Sequence, residues 1–274
     1  MTRIKRLKKN KQGVIGLTGV LLTMMSGLVG PLLVEKPAGF TTDILMPPSA
    51  VHPFGTDNLG LDILGELVWG AQTSIYISVT AVLLATAIGV IAGLICGYEE
   101  GLGAEAIDFF VDIVMTLPVL PLSIIAAALF GTTSGKLAVI MGLFGWPPIF
   151  RLTRNLTRQQ KNLPYIEAVK CLRIPKWRIL ICHIVPNEAG SILVNVTLMM
   201  AQMVLTEAGL SFLGLGSATD WSWGMILRRA WEQHAVISVP NPWWWWLMPC
   251  LCVAGYVICF HMLGVAISDS INEK

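Results

Sequence analysis

The feature of this sequence that most constrains its fold is a succession of long apolar runs. A helix needs roughly 20 mostly apolar residues to cross about 30 Å of hydrocarbon. Six runs reach or approach that length, at residues 13–34, 71–96, 107–130, 136–150, 189–210 and 243–267. Only 13% of the 274 residues are charged and 54% are hydrophobic, a balance that excludes an ordinary soluble domain. The pattern predicts an all-α integral membrane protein with six transmembrane helices.

Cations are concentrated in two segments, and this sets the expected orientation. Because positively charged segments stay in the cytoplasm, both are expected there, and an even number of crossings also places both termini there. The first run exceeds the length of a signal-peptide core, so we expect it to remain as a transmembrane helix. The cations are Arg3, Lys5, Arg6, Lys8, Lys9 and Lys11 before the first run, and Arg151, Arg154, Arg158, Lys161, Lys170, Arg173, Lys176 and Arg178 after the fourth.

Small residues recur at four-residue spacing in the second run. Gly89, Gly93 and Gly97 share one helix face, and Ala81 and Ala85 continue it. Such a face lets the backbone of another helix approach closely, so it predicts a tight helix–helix contact. In the third and fourth runs, prolines at positions 118, 121, 147 and 148 predict kinks, because each removes a helical hydrogen bond.

Four consecutive tryptophans begin the sixth run, at positions 243–246. Indole rings are amphipathic and concentrate at the level of the lipid headgroups. We therefore expect these side chains to fix the depth of the helix in the membrane. An aromatic cage for a ligand is the less favoured interpretation.

A polar, basic segment separates the fourth and fifth runs. Asn162 is suited to cap a helix, Pro164 falls in its first turn, and Glu167 suits the positive helix end. Pro175 disfavours helical geometry in the residue before it. The first helix should therefore end near residues 173–174, and a second should run over residues 176–183. On charge alone the segment is a solvated basic loop, but two ordered helices within it favour a docking site.

Several motifs, in this order along the chain, carry a family resemblance. They are His52-Pro53-Phe54-Gly55-Thr56-Asp57 with Gly60 and Asp62, Glu167-Ala168-Val169 with Ile184-Val185-Pro186, and SFLGLG at 211–216 with Trp223-Gly224. From about residue 50 to residue 265, the chain resembles the C-type permease subunit of the ATP-binding-cassette importers for dipeptides, oligopeptides and nickel. The resemblance implies the type I importer permease fold. Residues 1–70 would hold the cytoplasmic tail, first transmembrane helix and external loop, and residues 71–274 the permease core with an EAA-type coupling loop at 151–187.

The resemblance also implies a function divided among several chains. This one would be a non-catalytic permease that moves peptides across the bacterial or archaeal cytoplasmic membrane by alternating access, with nickel or a metal chelate as the alternative cargo. Its expected partners are a second, related permease subunit, two ATPase subunits and an extracytoplasmic substrate-binding protein. ATP and Mg²⁺ would bind the ATPases, and this chain would bind no cofactor and no nucleic acid.

The coupling loop would contact an ATPase. Where the family usually has glycine, this chain has Arg173, and a non-glycine residue in a left-handed turn costs about 1–2 kcal/mol. We therefore expect the turn to be rebuilt around Pro175. The coupling residues that the resemblance implies are Tyr165, Glu167, Ala168, Val169, Lys170, Leu172, Arg173, Ile174 and Pro175.

Ionisable groups in or beside the membrane are the remaining candidates. A carboxyl within an apolar run is costly, so Glu207 is either a buried structural hydrogen-bonding group or, with Gln202, a contact to the pathway or gate. His52 with Asp57 and Asp62 lacks a second histidine at ligand spacing, so we predict no metal site there.

Two other classes of protein remain as alternatives. An ion-coupled secondary transporter would carry its coupling groups within the runs, where Glu207, Asp108 and Asp112 are the candidates. Uptake that survives ATP depletion but needs the proton gradient would favour it. A membrane-embedded enzyme would need clustered catalytic groups, whereas the four histidines are scattered at positions 52, 183, 234 and 261.

Overall fold

The computed structural model describes residues 10–217 and 219–272. Their regular structure is helical, apart from an isolated antiparallel bridge between Thr56 and Asp62, and this confirms the all-α class for that part of the chain. The predicted basic residues Arg3, Lys5, Arg6, Lys8 and Lys9 lie outside the described residues. The helices are α1 Lys11–Leu33, α2 Ile63–Tyr98, α3 Leu102–Thr116, α4 Val119–Phe130, α5 Ser134–Gly145, α6 Pro147–Lys161, α7 Pro164–Cys171, α8 Lys176–Ile179, α9 Val185–Leu210, α10 Trp223–Glu232 and α11 Trp243–Asn272.

Four stretches are long and apolar enough to cross a membrane alone. They are α1, α2, α11 and the continuous helix Lys176–Leu215, which joins α8 and α9 through the π-helical turn Leu180–Ile184 and ends in a second π-helical turn, Ser211–Leu215. These stretches contain the first, second, fifth and sixth predicted runs.

The third and fourth predicted runs are divided. The third consists of α3 and α4, which meet at 89°. Pro118 lacks an N–H and forces Leu117 into extended geometry, so the helix breaks there instead of bending gently. The fourth is shared between the 12-residue α5 and the beginning of α6. By length and composition alone the described residues hold four spans, or five with the bent pair, so the count of six stays a prediction.

Helix α2 lies at the centre of the bundle and contacts α1, α5, α6 and α9. The predicted glycine face is confirmed, and its partner is α6. A Cβ atom added at Gly93 would lie 2.8 Å from the carbonyl oxygen of Phe150, and one at Gly97 would lie 2.7 Å from that of Arg154. The two backbones can approach so closely because glycine has no side chain, and no other residue fits between them.

The tryptophan run has a different role from the predicted one. Trp244 and Trp245 are buried, and Trp244 Nε1 donates a hydrogen bond to the carbonyl of Thr56 at 3.2 Å. The expectation that these two side chains reach the headgroup level is therefore wrong. Successive residues on a helix point in different directions, and the loop before α2 covers this end of α11, so Trp243 is the more exposed neighbour, at 44%.

Candidate functional site

The basic segment forms a short helix fixed to the bundle by one buried side chain. Ile166 of α7 is completely buried and packs with Tyr98, Ile179 and Ile184. Glu167 and Ala168, which follow it, are exposed. Helix α7 is therefore anchored on one side and presents a free surface on the other, as a docking helix must.

The start of α7 differs from the predicted one. Asn162 ends α6 and does not cap α7, so that prediction is wrong. The residue before α7 is Leu163, which has extended geometry and makes no side-chain capping bond; its carbonyl accepts from the N–H of Ile166 at 2.9 Å. Pro164 can begin the helix because it has no N–H that needs a partner.

The turn after α7 keeps the left-handed geometry. Arg173 has φ +54°, so the expectation that the turn is rebuilt around Pro175 is wrong. Pro175 instead precedes α8 with extended backbone geometry. Ile174 and Val169 pack against the Ile166 cluster, whereas Leu172 is 73% exposed. The predicted coupling residues are thus divided between the packed side and the exposed side of this segment.

Polar contacts tie α7 to the helices on either side. The Tyr165 hydroxyl donates to Gln160 Oε1 and accepts from Asn187 Nδ2, both at 2.8 Å, so it joins α6 to the start of α9. The Lys170 ammonium donates to the carbonyl of Lys161 at 3.1 Å and lies over the Tyr98 ring. A displacement of α7 would therefore pull on three elements.

The acidic end of α2 neutralises part of the basic segment. Lys161 contacts Glu100 at 2.7 Å, and Lys176 contacts Glu99 at 2.7 Å. The hydrogen bond and charge of Lys161 lower the pKa of Glu100.

Helix α6 also pairs with α3, through Arg154 with Asp108 and Arg151 with Asp112. These pairings, with those of Lys161 and Lys176, place α7, the end of α2, the start of α3 and the end of α6 at one end of the bundle. They also engage Asp108 and Asp112, two of the carboxyl groups considered for ion coupling, in ion pairs.

The motif at residues 52–62, which the resemblance places outside the membrane, folds into a compact loop over the first turn of α2. Asp57 is buried, and its Oδ1 accepts from the N–H groups of Leu59 at 2.8 Å and Leu61 at 2.7 Å. Gly55 and Gly60 have φ of +76° and +77°, which glycine adopts without strain. Thr56 Oγ1 donates to the carbonyl of Asp43, while Phe54 packs on the core and Pro53 is exposed.

His52 closes this loop. Its Nδ1 lies 3.0 Å from Asp62 Oδ2 and its Nε2 lies 3.6 Å from Asp43 Oδ2. The other oxygen of Asp62 accepts from the N–H of Leu64 and caps α2. The hydrogen bond to Asp62, with the nearby Asp43, raises the pKa of His52. Among the described residues no group of three or more His, Cys, Asp or Glu side chains could hold a metal ion.

The two candidate gate residues lie in different surroundings. Glu207 is completely buried and accepts from Ser74 Oγ at 2.8 Å and from Ser211 Oγ at 2.7 Å. These bonds match the structural hydrogen-bonding interpretation. Gln202 lies on the same helix but is exposed.

Sequence reasoning missed a polar network around α10. The backbone N–H of Trp223 donates to Ser74 Oγ at 3.3 Å, and its indole Nε1 donates to the carbonyl of Leu67 at 3.1 Å. Arg229 approaches the buried Glu66, with Nη1 4.0 Å from Oε1. No local pattern could reveal these contacts, because the partners come from elements far apart in the chain. The one available signal was Trp223-Gly224, which the resemblance alone had identified.

Comparison with known proteins adds a family match and close relatives. Residues 89–269 match the family model described as "binding-protein-dependent transport system inner membrane component". Over 273 residues the chain is 32% identical to the dipeptide transport system permease protein DppC of Bacillus subtilis strain 168, covering 98% of this chain and 84% of the relative. The oligopeptide transport system permease protein OppC of the same strain is 33% identical over 273 residues, with 98% and 88% covered. The glutathione transport system permease protein GsiD of Pectobacterium atrosepticum is 31% identical over 228 residues, with 83% and 74% covered.

Proposed function

Because this chain belongs to the family of binding-protein-dependent transport system inner membrane components, we propose that it is the permease subunit of an ATP-driven peptide importer. The relatives reported above are named for the transport of dipeptides, oligopeptides and glutathione. Each of these cargoes is a peptide, so a peptide is favoured over nickel or a metal chelate. The permease moves its cargo by alternating access.

The proposed architecture is half of a pore, with six spans in the type I importer fold. The spans are α1, α2, the bent pair α3 and α4, α5 with the beginning of α6, the helix Lys176–Leu215, and α11. Trp146 supports the fourth span, because its φ of −74° and ψ of −25° are helical and join α5 to α6 as one kinked helix. Residues 1–70 form the tail, first span and external loop, and residues 71–274 the permease core.

The proposed location is the cytoplasmic membrane, with both termini and the coupling loop 151–187 in the cytoplasm. The cation distribution supports this orientation. The pairing of the acidic end of α2 with Lys161 and Lys176 is consistent with it, since both groups must lie on the same side. The loop at 34–62 and helix α10 then face the outside.

The proposed partners supply what this chain lacks. ATP and Mg²⁺ bind two ATPase subunits beneath the membrane, a second permease subunit completes the pore, and a substrate-binding protein delivers the peptide from outside. To move a gate from 1:99 to 99:1 takes about 5.5 kcal/mol of differential binding, which closure of the ATPases on nucleotide can supply.

The observation that carries the coupling assignment is the two-sided character of α7. Ile166 is buried while Glu167 and Ala168 are exposed, and Tyr165 links the helix to α6 and α9. In our proposal α7 fits a cleft on an ATPase subunit, with Glu167 and Ala168 at the contact. Its motion then passes through Tyr165 into the membrane helices.

Substitutions on the exposed side of α7 test this assignment. Ala168→Asp places a charge in the proposed cleft, and Glu167→Lys reverses one, so each should reduce both ATPase co-purification and uptake at least tenfold. Glu105→Lys is the matched control, because Glu105 is exposed on α3 near the same end of the bundle. If both α7 variants assembled and transported normally, the contact would lie elsewhere.

The complete assembly is tested by tagging the chain at its C-terminus and identifying what co-purifies from native membranes. We expect two ATPases, a second permease and a solute-binding protein, and that binding protein then identifies the cargo. Recovery of the chain alone, with uptake that survives ATP depletion but needs the proton gradient, would favour an ion-coupled secondary transporter instead.

A further inference from the structure

Buried charge is concentrated at the end of the bundle opposite α7. Glu66, in the first turn of α2, and Asp57, in the loop before it, are both completely buried. Arg229 of α10 places Nη1 4.0 Å from Glu66 Oε1. Both oxygens of Glu66, Oδ2 of Asp57 and Nη1 of Arg229 are buried without a hydrogen-bond partner. A buried polar atom without a partner destabilises the fold, so four together need an explanation.

The geometry of Asp57 shows which of its oxygens lacks a hydrogen-bond donor. Its Oδ1 accepts from two backbone N–H groups, those of Leu59 and Leu61, an arrangement suited to a carboxylate. Its Oδ2 has no donor. The loop that carries Asp57 is held against the first turn of α2, where the N–H of Ile63 donates to the carbonyl of Gly55 at 3.1 Å. The acidic side chain that interacts with Asp57 there is Glu66, which as a carboxylate has no hydrogen to give. The two groups therefore face each other as two acceptors.

One proton resolves this conflict. Two carboxylates that share a buried site cannot both carry full charge, and a carboxylic acid is a strong hydrogen-bond donor to a carboxylate. A proton on Glu66 would give Asp57 Oδ2 its missing donor and remove one of the two buried charges. The other Glu66 oxygen would remain free to accept from Arg229, directly or through a water molecule.

We propose that Glu66 is protonated and donates its hydrogen to Asp57 Oδ2, and that Arg229 closes over this pair, so that an acid–carboxylate–guanidinium cluster fastens the external loop and α10 to the first turn of α2.

Arg229 is positioned for this role by its own contacts. Its guanidinium carbon lies 4.1 Å from the centroid of the Trp221 ring, a stacking that holds the group above the carboxyls. The indole of Trp223, on the same helix, donates to the carbonyl of Leu67, the residue next to Glu66. The guanidinium balances the charge that remains on Asp57. Three elements thus meet at one cluster: the loop through Asp57, α2 through Glu66 and α10 through Arg229.

The cluster makes this attachment depend on external pH. The other charged groups that face it are Asp62 on the same loop and, beyond Asp62, His52 and Asp43. Loss of the Glu66 proton at alkaline pH restores two facing carboxylates, and their repulsion loosens the loop and α10. His52 also titrates, so its contribution has to be removed separately.

The test is infrared spectroscopy of the assembled transporter in lipid vesicles. A protonated carboxyl has a carbonyl stretching band that a carboxylate lacks. We expect Glu66→Gln to remove one such band while the complex stays assembled, because the amide of glutamine can still donate to Asp57. Glu207→Gln is the matched control at a second buried carboxyl and should leave the Glu66 band in place.

A second variant keeps the test usable if Glu66→Gln prevents assembly of the transporter. Asp57→Asn supplies amide hydrogens to Glu66, which can then ionise, so the same band should disappear although Glu66 is intact. Identical carboxyl bands in the wild type and in both variants would overturn the proposal. This measurement needs no transport, so it can fail or succeed independently of the proposed import function.

A functional readout separates a proton-linked role from a merely structural one. In a His52→Asn background, uptake should fall as external pH becomes alkaline, and adding Glu66→Gln should flatten that profile. Arg229→Lys should preserve the charge and most of the activity, whereas Arg229→Ala should lower uptake severalfold. A profile that is unchanged by Glu66→Gln would contradict the proton-linked role.

Discussion

The left-handed backbone of Arg173 gives the turn after α7 a measurable conformational cost. The φ of +54° costs a non-glycine residue about 1–2 kcal/mol, and glycine would recover this while losing about 0.5–1 kcal/mol in backbone entropy. Arg173→Gly should therefore stabilise the turn by between about 0 and 1.5 kcal/mol, seen as slower amide hydrogen exchange in α7.

Arg178→Gly should change the local stability in the opposite direction, because Arg178 lies within the short helix α8. There glycine should destabilise the helix by about 1 kcal/mol. If Arg173→Gly accelerated exchange as Arg178→Gly does, the left-handed turn would not carry the expected strain.

His52 is the titrating residue of the external loop. Asp62 and Asp43 raise its pKa, so protonated His52 stabilises the folded loop. This contribution is complete below the unfolded value of about 6.5 and is lost as pH rises through the higher folded value. We expect His52→Asn to lower the free energy of unfolding at pH 5 by up to about 1 kcal/mol, seen as a lower melting temperature, and to have a smaller effect at pH 9.

The matched control for this pH dependence is His261→Asn, since His261 is exposed on α11. Its replacement removes an imidazole but leaves the ion pairs of His52 with Asp62 and Asp43 in place. An effect of His52→Asn that is constant between pH 5 and pH 9 would show that the ion pairs with Asp62 and Asp43 contribute nothing.

Individual residues were predictable where the cause was local. Pro164 at a helix start and the glycine face of α2 follow from backbone chemistry, and both are found. Asn162 was misassigned because two adjacent helices compete for it, and α6 ends there. Glu66 could not be identified, because its significance depends on Arg229, which reaches it only through the packing of α10 on α2.

At the level of elements, the close contact between α2 and α6 can be tested by adding a methyl group to it. Gly93→Ala would place a methyl group 2.8 Å from a carbonyl oxygen of α6, which must move. Forcing an extra methyl group into a packed contact costs about 1–3 kcal/mol. We expect a lower melting temperature for the assembled transporter, and less of it in the membrane.

Gly103→Ala is the control for this substitution. Gly103 lies in α3, and an added Cβ there would meet nothing within 4 Å. Alanine is a better helix former than glycine, so this variant should be neutral or more stable by up to about 1 kcal/mol. Equal losses at Gly93 and Gly103 would mean that helix propensity, and not the close approach of α6, determines the result.

The elements that sequence reasoning misjudged share a physical cause. Hydropathy detects the third run as one stretch because it is insensitive to direction, whereas Pro118 turns the chain by 89° within it. Helix α10 lies outside the six predicted runs because its ten residues are amphipathic and its stability comes from packing on α2 and α11. Apolar length predicts that a helix exists but does not predict where it bends.

For the whole molecule, the proposed orientation predicts which cysteines a membrane-impermeant maleimide can reach. Cys171 and Cys182 are exposed near the coupling end, and Ser49 is exposed in the external loop. In intact cells Ser49→Cys should be labelled, while Cys171 and Cys182 should react only after permeabilisation. Labelling of Cys171 in intact cells would show that the chain has the opposite orientation. The double variant Cys171→Ser, Cys182→Ser gives the background labelling.

The long helical stretch Lys176–Leu215 has a mechanical consequence. Its 40 residues extend over about 60 Å, so a tilt of about 5° imposed at one end displaces the other by about 5 Å. At the far end, Gly214 lies against the guanidinium of Arg228 on α10, where an added Cβ would be 2.3 Å from Nη1. A few degrees of rotation at the end near α7 thus become a displacement about as large as a side chain at the other end, where the non-helical Gly214, with φ +91°, meets α10.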